Sequence, residues 1–499
     1  MTRRKEWDID LKKYNLTFLL IIVVLFVLFV PYLMRFYHGN TAVVGSESYL
    51  STRYALELIE YKELTMTELM EKYSATPDLV YTRRTFHFNP YHVVLAVTGD
   101  LFGLKNAARI LPIIMGLLSI FLFARILVSL DFERYRRDVI LLLLVTSPAF
   151  IYAFTFSTSH SLAILLSLLS VYLFTQKHKV WLGLSMVCMF IVSLFSIFNI
   201  ILLFLVLLAY TLHKDDKKQW FFIALFFSVI FLFIKKVNIY YSYTTHESLN
   251  FFSALFSDLG GLIGFGFISI VLVFLGAGLL WKKRKQMLVF LIPVLILVSY
   301  VYVGEGFFMY LSFFVAIAAG EGFRRLTESE WSFSMLKTLT IIVLICGIVF
   351  STVSYTDRLM DSEPSPETLH SLELLEKSSK AGEIILTHPK YGYWVESVAD
   401  RKVLADSLST DNYEQKFLYK VADSIFTSRD LEETETLLRT YNIRYIWITP
   451  DMKQGLVWDK KDEGLLFLLE KSETFKKVYS TYGYETWEVL PPVRLSVGE

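Results

Sequence analysis

The stretch LKTLTIIVLICGIVFSTVS, residues 336–354, is uncharged apart from Lys337 and mostly apolar, and the chain behind it turns abruptly to Ser, Glu, Pro and Lys. A hydrocarbon core about 30 Å thick takes about 20 apolar residues to cross as a helix. The stretch therefore reads as a membrane-crossing helix, and its end marks the last of them. Runs of the same kind recur upstream as far as Tyr14. Their expected bounds are Leu16–Phe36, Ala107–Leu127, Val139–Phe156, His160–Phe174, Val180–Ile197, Phe198–Leu212, Trp220–Phe233, Leu259–Trp281, Met287–Val303, Phe307–Gly322 and Leu336–Ser354. The expectation is an α-helical polytopic membrane protein of about 11 transmembrane helices. The N-terminal run resembles a secretory signal, with Arg3, Arg4 and Lys5 before it. It is long and lacks a small-residue cleavage site, so it is read as the first permanent helix.

Charge assigns the sides. Every second loop is basic: Arg3–Lys5 with Lys12 and Lys13, then Arg125 with Arg134, Arg136 and Arg137, then Lys177 and Lys179, Lys214 with Lys217 and Lys218, Lys282–Lys285, and Arg324 with Arg325. Short loops rich in Lys and Arg stay in the cytoplasm. The alternate loops, 38–106, 157–159, the turn near Asn199, 235–258 and 304–306, are then outside. This predicts a cytoplasmic N-terminus, residues 1–355 as the membrane domain with a large outer loop 38–106, and residues 356–499 as an extracytoplasmic domain. Lys235 and Lys236 fall at an outer end, where snorkelling accommodates them.

The composition is 54% hydrophobic and 19% charged, with a net charge of +1. That balance gives no general attraction to nucleic acid. Cys188 and Cys346 both lie in apolar runs, so no disulfide framework is expected. The spans are almost bare of ionisable residues, which argues against a proton-coupled transporter.

Beyond Ser354, Ser365–Pro366–Glu367 has the form of an N-cap followed by proline at the first helical position, opening a helix over Thr368–Ser378. Glu383–Leu386 and Arg444–Thr449 read as buried strands, and Leu431–Thr440 before the second has helical spacing. Val478–Ser480 and Thr486–Val489 flank Gly483 as a closing hairpin. A C-terminal α/β domain is expected.

Chemistry is sought in the outer loops. The first is long and rich in Tyr, Phe and His, and it contains Glu47–Ser48–Tyr49 with Arg53 behind it. Glu47 reads equally as a capping acid at a helix N-terminus or as a catalytic carboxylate. Thr244–Thr245–His246–Glu247 sets an imidazole and a carboxylate shortly before an apolar span, either as a hydrated loop or as a site. Gly260, Gly261, Gly264 and Gly266 suggest a phosphate loop but lack a preceding strand, so close packing is the expected explanation. His87 and His92 flank Asn89–Pro90 without evident further ligands.

Taken together and in order, these pieces resemble the catalytic subunit of oligosaccharyltransferase and its relatives in the GT-C glycosyltransferase superfamily, over nearly the whole chain. That family's first outer loop carries an acid-x-aromatic-x-x-x-Arg signature, matched by Glu47, Tyr49 and Arg53 with Glu where Asp is usual. Its later Thr-x-x-Glu motif is matched by Thr244–Glu247. Phe88–His92, Ala107–Pro112 and Tyr391–Trp394 with Ala399–Arg401 are also similar to that superfamily.

The resemblance implies a sugar or glycan donor on a polyprenyl phosphate, the lipid bilayer as a partner, and an unidentified protein, lipid or glycan acceptor. It implies Glu47 as base or metal ligand and Glu247 in contact with acceptor or metal, the ion being Mg2+ or Mn2+. Substrate contacts are implied at Tyr49, Arg53, His160, His246, Lys390 and Tyr391, with Arg53 alternatively positioning the first loop. The sequence also departs from the family. The acidic metal-binding turn of the second outer loop is Ser157–Thr158–Ser159–His160 here, where His160 is open to metal, phosphate or plain capping. No arginine stands at Gly304–Phe307, and of the Trp-Trp-Asp-Tyr-Gly acceptor motif only Tyr391–Gly392 remain, after His388–Pro389–Lys390. These departures motivate an alternative, a degenerate relative that binds lipid-linked glycan or a partner protein without transfer.

Overall fold

The computed structural model describes residues 21–63, 89–176, 179–214, 227, 251–280, 305–406, 413–460, 462–470 and 473–491. The expected spans Trp220–Phe233 (apart from Phe227) and Met287–Val303, and the motif Thr244–Glu247, lie outside these residues. The chain divides into two compact units, residues 1–38 with 88–362, and residues 39–87 with 363–499. The sequence boundary after Tyr355 thus differs from the folded one. The last helix of the first unit runs on to Met360. The opening of the first outer loop belongs to the second unit, where Gly45 N–H donates to the Glu363 carbonyl at 3.2 Å and the Asn40 amide donates to the Pro364 carbonyl at 3.1 Å.

The first unit is helical. Its elements are α1 Ile21–Tyr37, then, after α2 Ser46–Glu63 of the second unit, α3 Pro90–Phe102, α4 Leu104–Ser129, α5 Arg134–Val145, α6 Pro148–Thr155, α7 Ser159–Thr175, α8 Lys179–Ser193, α9 Ile197–Lys214, α10 Phe251–Leu255, α11 Phe267–Leu280, α12 Phe308–Glu328 and α13 Ser334–Met360. Among the described residues α4 and α13 are long and apolar enough to cross a membrane. The pair α5 and α6 makes a third candidate, bent by 64°. The sequence expected one span there, Val139–Phe156. Pro148 disfavours a helical Ser147 before it, and Ser147 is extended at φ −75°, ψ 126°. The break strands the Thr146 carbonyl, which accepts the Thr352 hydroxyl of α13 at 2.9 Å. In hydrocarbon an unmatched carbonyl costs several kcal/mol, so this bond is what makes the break tolerable.

Packing in this unit uses small residues and a few buried charges. A Cβ on Gly276 of α11 would run into the Ala318 carbonyl of α12, and one on Gly322 of α12 would run into the Leu272 carbonyl of α11. The two backbones therefore touch where only glycine fits. The buried Glu321 of α12 is held by Arg136 of α5 and by Arg324 at 3.2 Å. Arg35, at the end of α1 and 1% exposed, sends Nη1 to the carbonyls of Leu359 at 3.4 Å and Met360 at 3.1 Å and also to that of Ser362. Leu359 and Met360 close α13, where carbonyls run short of intrahelical N–H partners, and Ser362 lies just beyond it.

The span expected from Leu259 begins as a helix only at Phe267. Residues 256–266 form a tight loop in which Asp258 accepts the Phe267 N–H and the Ser351 hydroxyl, each at 2.7 Å, and the Tyr355 hydroxyl donates to the Leu262 carbonyl at 2.6 Å. Carbonyls of residues 253–255 crowd the Cβ positions of Gly261 and Gly264. Close packing explains Gly261 and Gly264, which meet the short helix α10, and Gly266, whose Cβ would meet Ser351 of α13, while Gly260 turns the chain at φ +105°.

The second unit carries α2 and, further on, α14 Pro366–Ser378, β1 Ile384–Leu386, α15 Gly392–Val398, β2 Lys402–Val403, α16 Tyr413–Thr427, α17 Leu431–Thr440, β3 Ile443–Ile448, α18 Leu465–Leu468, β4 Phe475–Thr481 and β5 Tyr484–Val489. The sheet order is β2-β1-β3-β5-β4, with β2, β1 and β3 parallel and β5 and β4 antiparallel. Ser365 caps α14, accepting the Thr368 N–H, and Asp430 caps α17. Tyr482 at φ 49° and Gly483 at φ 84° turn the hairpin, two consecutive left-handed positions of the kind a two-residue turn demands. Trp447 on β3 is fully buried, stacks on Tyr484 and donates to Ser371 at 2.8 Å, tying the sheet to α14.

Candidate functional site

In the second unit the first-loop signature is built into α2. Gly45 turns the chain at φ +76°, and Glu47 follows in the first turn of the helix, where a carboxylate suits the N-terminal end. Tyr49 is buried, and its hydroxyl accepts the Val43 N–H at 3.2 Å, pinning the entry of the helix. One turn on, Arg53 pairs with Glu57 at 3.4 Å and with Asp400 at 3.6 Å. Asp400 follows α15, against which α2 packs. In this unit Arg53 therefore links α2 to the end of α15.

The carboxyl ends of the parallel strands carry a second polar cluster, the place where open α/β sheets present ligands. After β1 come His388, Lys390 and Tyr391; after β3 come Thr449 and Asp451. The His388 Nδ1 accepts the Lys390 N–H at 3.3 Å. Burial, helped by the nearby Lys390 charge, lowers the His388 imidazole to about 4, so this acceptor nitrogen stays unprotonated at neutral pH. Tyr391 is buried and donates to Asp451 Oδ2 at 2.9 Å, and burial keeps its hydroxyl well above the ordinary value, a donor throughout. Burial also raises the Glu363 carboxyl, against the pull of Lys390 and with a further push from Asp451, to which it is hydrogen-bonded. The exposed Lys390 lies 5.3 Å from the centre of the Tyr391 ring.

Sequence reasoning reached Lys390 and Tyr391 and missed Glu363 and Asp451. Each stands beside a proline, Glu363–Pro364 and Pro450–Asp451, at the edge of an element. Such edges are where side chains meet across the fold, the one available signal.

A third cluster lies in the first unit, where stretches assigned to different outer loops meet. The Tyr91 hydroxyl of α3 shares a hydrogen bond of 2.7 Å with Ser157. His160, in the first turn of α7, has Nδ1 3.4 Å from the Tyr310 hydroxyl of α12, which also bonds Asn199 in the first turn of α9. Gly306 faces the imidazole, since a Cβ there would stand 3.3 Å from its Nε2. The turn expected near Asn199 is made at Leu194–Ser196, and Asn199 itself is helical.

The structure thus places Glu47, Tyr49, Arg53, Lys390 and Tyr391 in one unit and His160 in the other, while His246 and Glu247 lie outside the described residues. Among the described residues no three His, Cys, Asp or Glu side chains gather as a metal site. Mg2+ and Mn2+ prefer carboxylate, carbonyl and water oxygens. The turn Ser157–His160 offers hydroxyls and one imidazole, a donor set that does not fit such an ion.

No family profile and no curated protein matches the chain. Solved structures do. The oligosaccharyltransferase of Archaeoglobus fulgidus in the apo form is 13% identical, with a TM-score of 0.61 over 97% of this chain and 76% of that one. The archaeal oligosaccharyltransferase AglB from Archaeoglobus fulgidus, in complex with an inhibitory peptide and a dolichol-phosphate, gives 13% and 0.58 over 97% and 75%. ArnT from Cupriavidus metallidurans, bound to undecaprenyl phosphate, gives 14% and 0.58 over 94% and 97%. At these identities the likeness is one of fold. The chain has the GT-C fold that its sequence resembles.

Proposed function

We propose that this chain is a membrane glycosyltransferase that moves a sugar or glycan from a polyprenyl-phosphate donor to an acceptor on the extracytoplasmic face. The observation that carries the reading is the likeness of nearly the whole chain, both units included, to proteins whose structures hold dolichol-phosphate or undecaprenyl phosphate. In the reaction the acceptor atom forms a bond to the anomeric carbon as the bond from that carbon to the donor phosphate oxygen breaks. The phosphate leaves with the electron pair through an oxocarbenium-like centre. Glu47 is the carboxylate proposed to take the acceptor proton. Tyr391 and Lys390 are proposed to contact the acceptor, His160 the donor, and Glu247 with His246 to complete the outer loop's contribution. An Mg2+ or Mn2+ ion held by Glu47 and Glu247 belongs to the same proposal, and no step is derived through it.

The test is transfer by the purified full-length chain, in lipid, from a panel of polyprenyl-linked donors. Removal of a general base costs about 10²–10⁴-fold, so Glu47→Gln is expected to lower transfer by at least 100-fold. Unchanged transfer removes Glu47 from the chemistry. The acid-free turn at Ser157–His160 favours one second reading, a relative that binds the lipid-linked donor without transfer. Donor binding with no turnover on any acceptor would select it.

A further inference from the structure

The turn that carries acids in the oligosaccharyltransferase family carries none here, and its own groups point to a different partner. α7 is 17 residues long, has no acidic residue in its first turn, and begins after Thr158. Its leading N–H groups lack intrahelical acceptors, and the helix dipole makes that end positive. Thr158 stands at the N-cap in extended conformation, but its side chain makes no capping bond. The residue is 4% exposed, and its hydroxyl has no hydrogen-bond partner among the described residues; the same holds for Thr155, which is fully buried. A buried hydroxyl left unmatched is a net cost, and at Thr158, at the mouth of the helix, a bound ligand would remove it. Around the same mouth stand Ser157, held by Tyr91, and His160, held near Tyr310 beside Asn199. Hydroxyl, imidazole and backbone N–H groups at a positive helix end suit a phosphate oxyanion rather than a divalent cation.

We propose that the mouth of α7, formed by Thr158, Ser157 and His160, binds the phosphate group of a polyprenyl-linked donor directly, doing with hydrogen-bond donors what an acidic turn does through a metal ion. The inference rests on the glycosyltransferase reading for the identity of the lipid. The chemistry it names, a phosphate monoester or diester oxyanion, stands without that reading.

The test measures binding, with transfer as a separate arm. Full-length protein in nanodiscs is titrated with undecaprenyl phosphate, with undecaprenol and with inorganic phosphate, each with and without EDTA. The phosphate lipid is expected to bind at least 10-fold more tightly than the alcohol and to keep its affinity in EDTA. Inorganic phosphate alone binding as well as the lipid would assign the site to free phosphate and overturn the lipid assignment. Thr158→Val removes a hydroxyl that has no partner, so it is expected to leave the melting temperature unchanged or raised while weakening lipid phosphate binding about 10-fold. A purely structural threonine would show neither loss of affinity nor this split. His160→Gln keeps a neutral donor and is expected to weaken binding less than His160→Ala. Wild-type affinity in both Thr158→Val and His160→Ala, or binding abolished by EDTA, overturns the proposal. Tight binding with no sugar transfer to any acceptor overturns the transferase reading and leaves the phosphate site standing.

Discussion

Tyr391 and Asp451 are 60 residues apart in sequence and joined by a hydrogen bond of 2.9 Å, phenol to carboxylate, at the carboxyl ends of two neighbouring parallel strands. The bond orders the segment between β1 and α15, and Glu363 and Lys390 gather around it. A phenol fixed on a partly buried carboxylate has a set direction, as a recognition element requires.

Tyr391→Phe keeps the ring and removes the bond. Hydrogen bonds to charged groups contribute about 1.5–3 kcal/mol, reduced here because Asp451 retains contact with water. A loss of about 1–2 kcal/mol is expected in thermal unfolding of the full-length protein. If the segment recognises acceptor, the KM for acceptor rises while donor affinity is unchanged. A change in kcat alone would place the residue elsewhere in the reaction.

His388 supplies a pH test. Its folded imidazole is lowered to about 4 from an ordinary value near 6.5, by burial and then by Lys390. For a depressed base the stabilising neutral form is fully present above about 6.5, and the contribution is lost as pH falls toward 4. The wild-type melting temperature should therefore fall over that window more steeply than that of His388→Asn. Direct NMR titration of the ring would find it neutral at pH 6.

Glu363 acts in the opposite direction. Its carboxyl is raised by burial and by Asp451. Its contribution is present below the ordinary carboxylate value and is lost as pH rises through the raised one. Glu363→Gln should be more stable than wild type at pH 8, and the difference should vanish near pH 4. A variant less stable at pH 8 would mean that the charged form is the one the fold favours.

Arg35 ties the first described helix to the end of the last helix of its unit. Arg35→Met keeps the stem and removes the guanidinium. With charge-assisted bonds near 1.5–3 kcal/mol, a destabilisation of about 2–3 kcal/mol is expected. Hydrogen exchange should rise at residues 357–362 before it rises elsewhere, and uniform exchange would show that the contact carries little.

Gly322→Ala places a methyl group against the Leu272 carbonyl in a helix pair with no slack. Overpacking costs about 1–3 kcal/mol where the neighbours can shift, and here the neighbour is backbone. Reduced yield of monodisperse protein and a lower melting temperature are expected, while Gly183→Ala, at a glycine with no crowding, should behave as wild type.

Local pattern made much of the C-terminal unit legible. The capped helix at Pro366, the helix Leu431–Thr440, the strands around Ile385 and Ile446 and the hairpin over Gly483 all stand within a residue or a few of their expected bounds. Each depends on short-range rules, capping, periodicity and a left-handed turn. Lys390 and Tyr391 were reachable by motif. Their partners Glu363 and Asp451 were not, because pairing across 60 or more residues leaves no periodic trace. The broken helix at Ser147–Pro148 was visible as a proline, but whether a proline breaks a span depends on a neighbour such as Thr352 to receive the stranded carbonyl.

By itself the sequence determined that apolar helices dominate the chain and that an α/β segment follows them, because the solvent each face meets is written into the spacing of its side chains. It also singled out the Glu47–Arg53 segment and Lys390–Tyr391 as candidates for chemistry. Only the tertiary structure decided that the Glu47–Arg53 helix is part of the C-terminal unit, that Arg53 is engaged with Asp400, and that Tyr91 and Tyr310 stand against Ser157 and His160. Those outcomes depend on which distant groups come within about 3 Å of one another, a distance that hydrogen bonding requires and that no local pattern encodes.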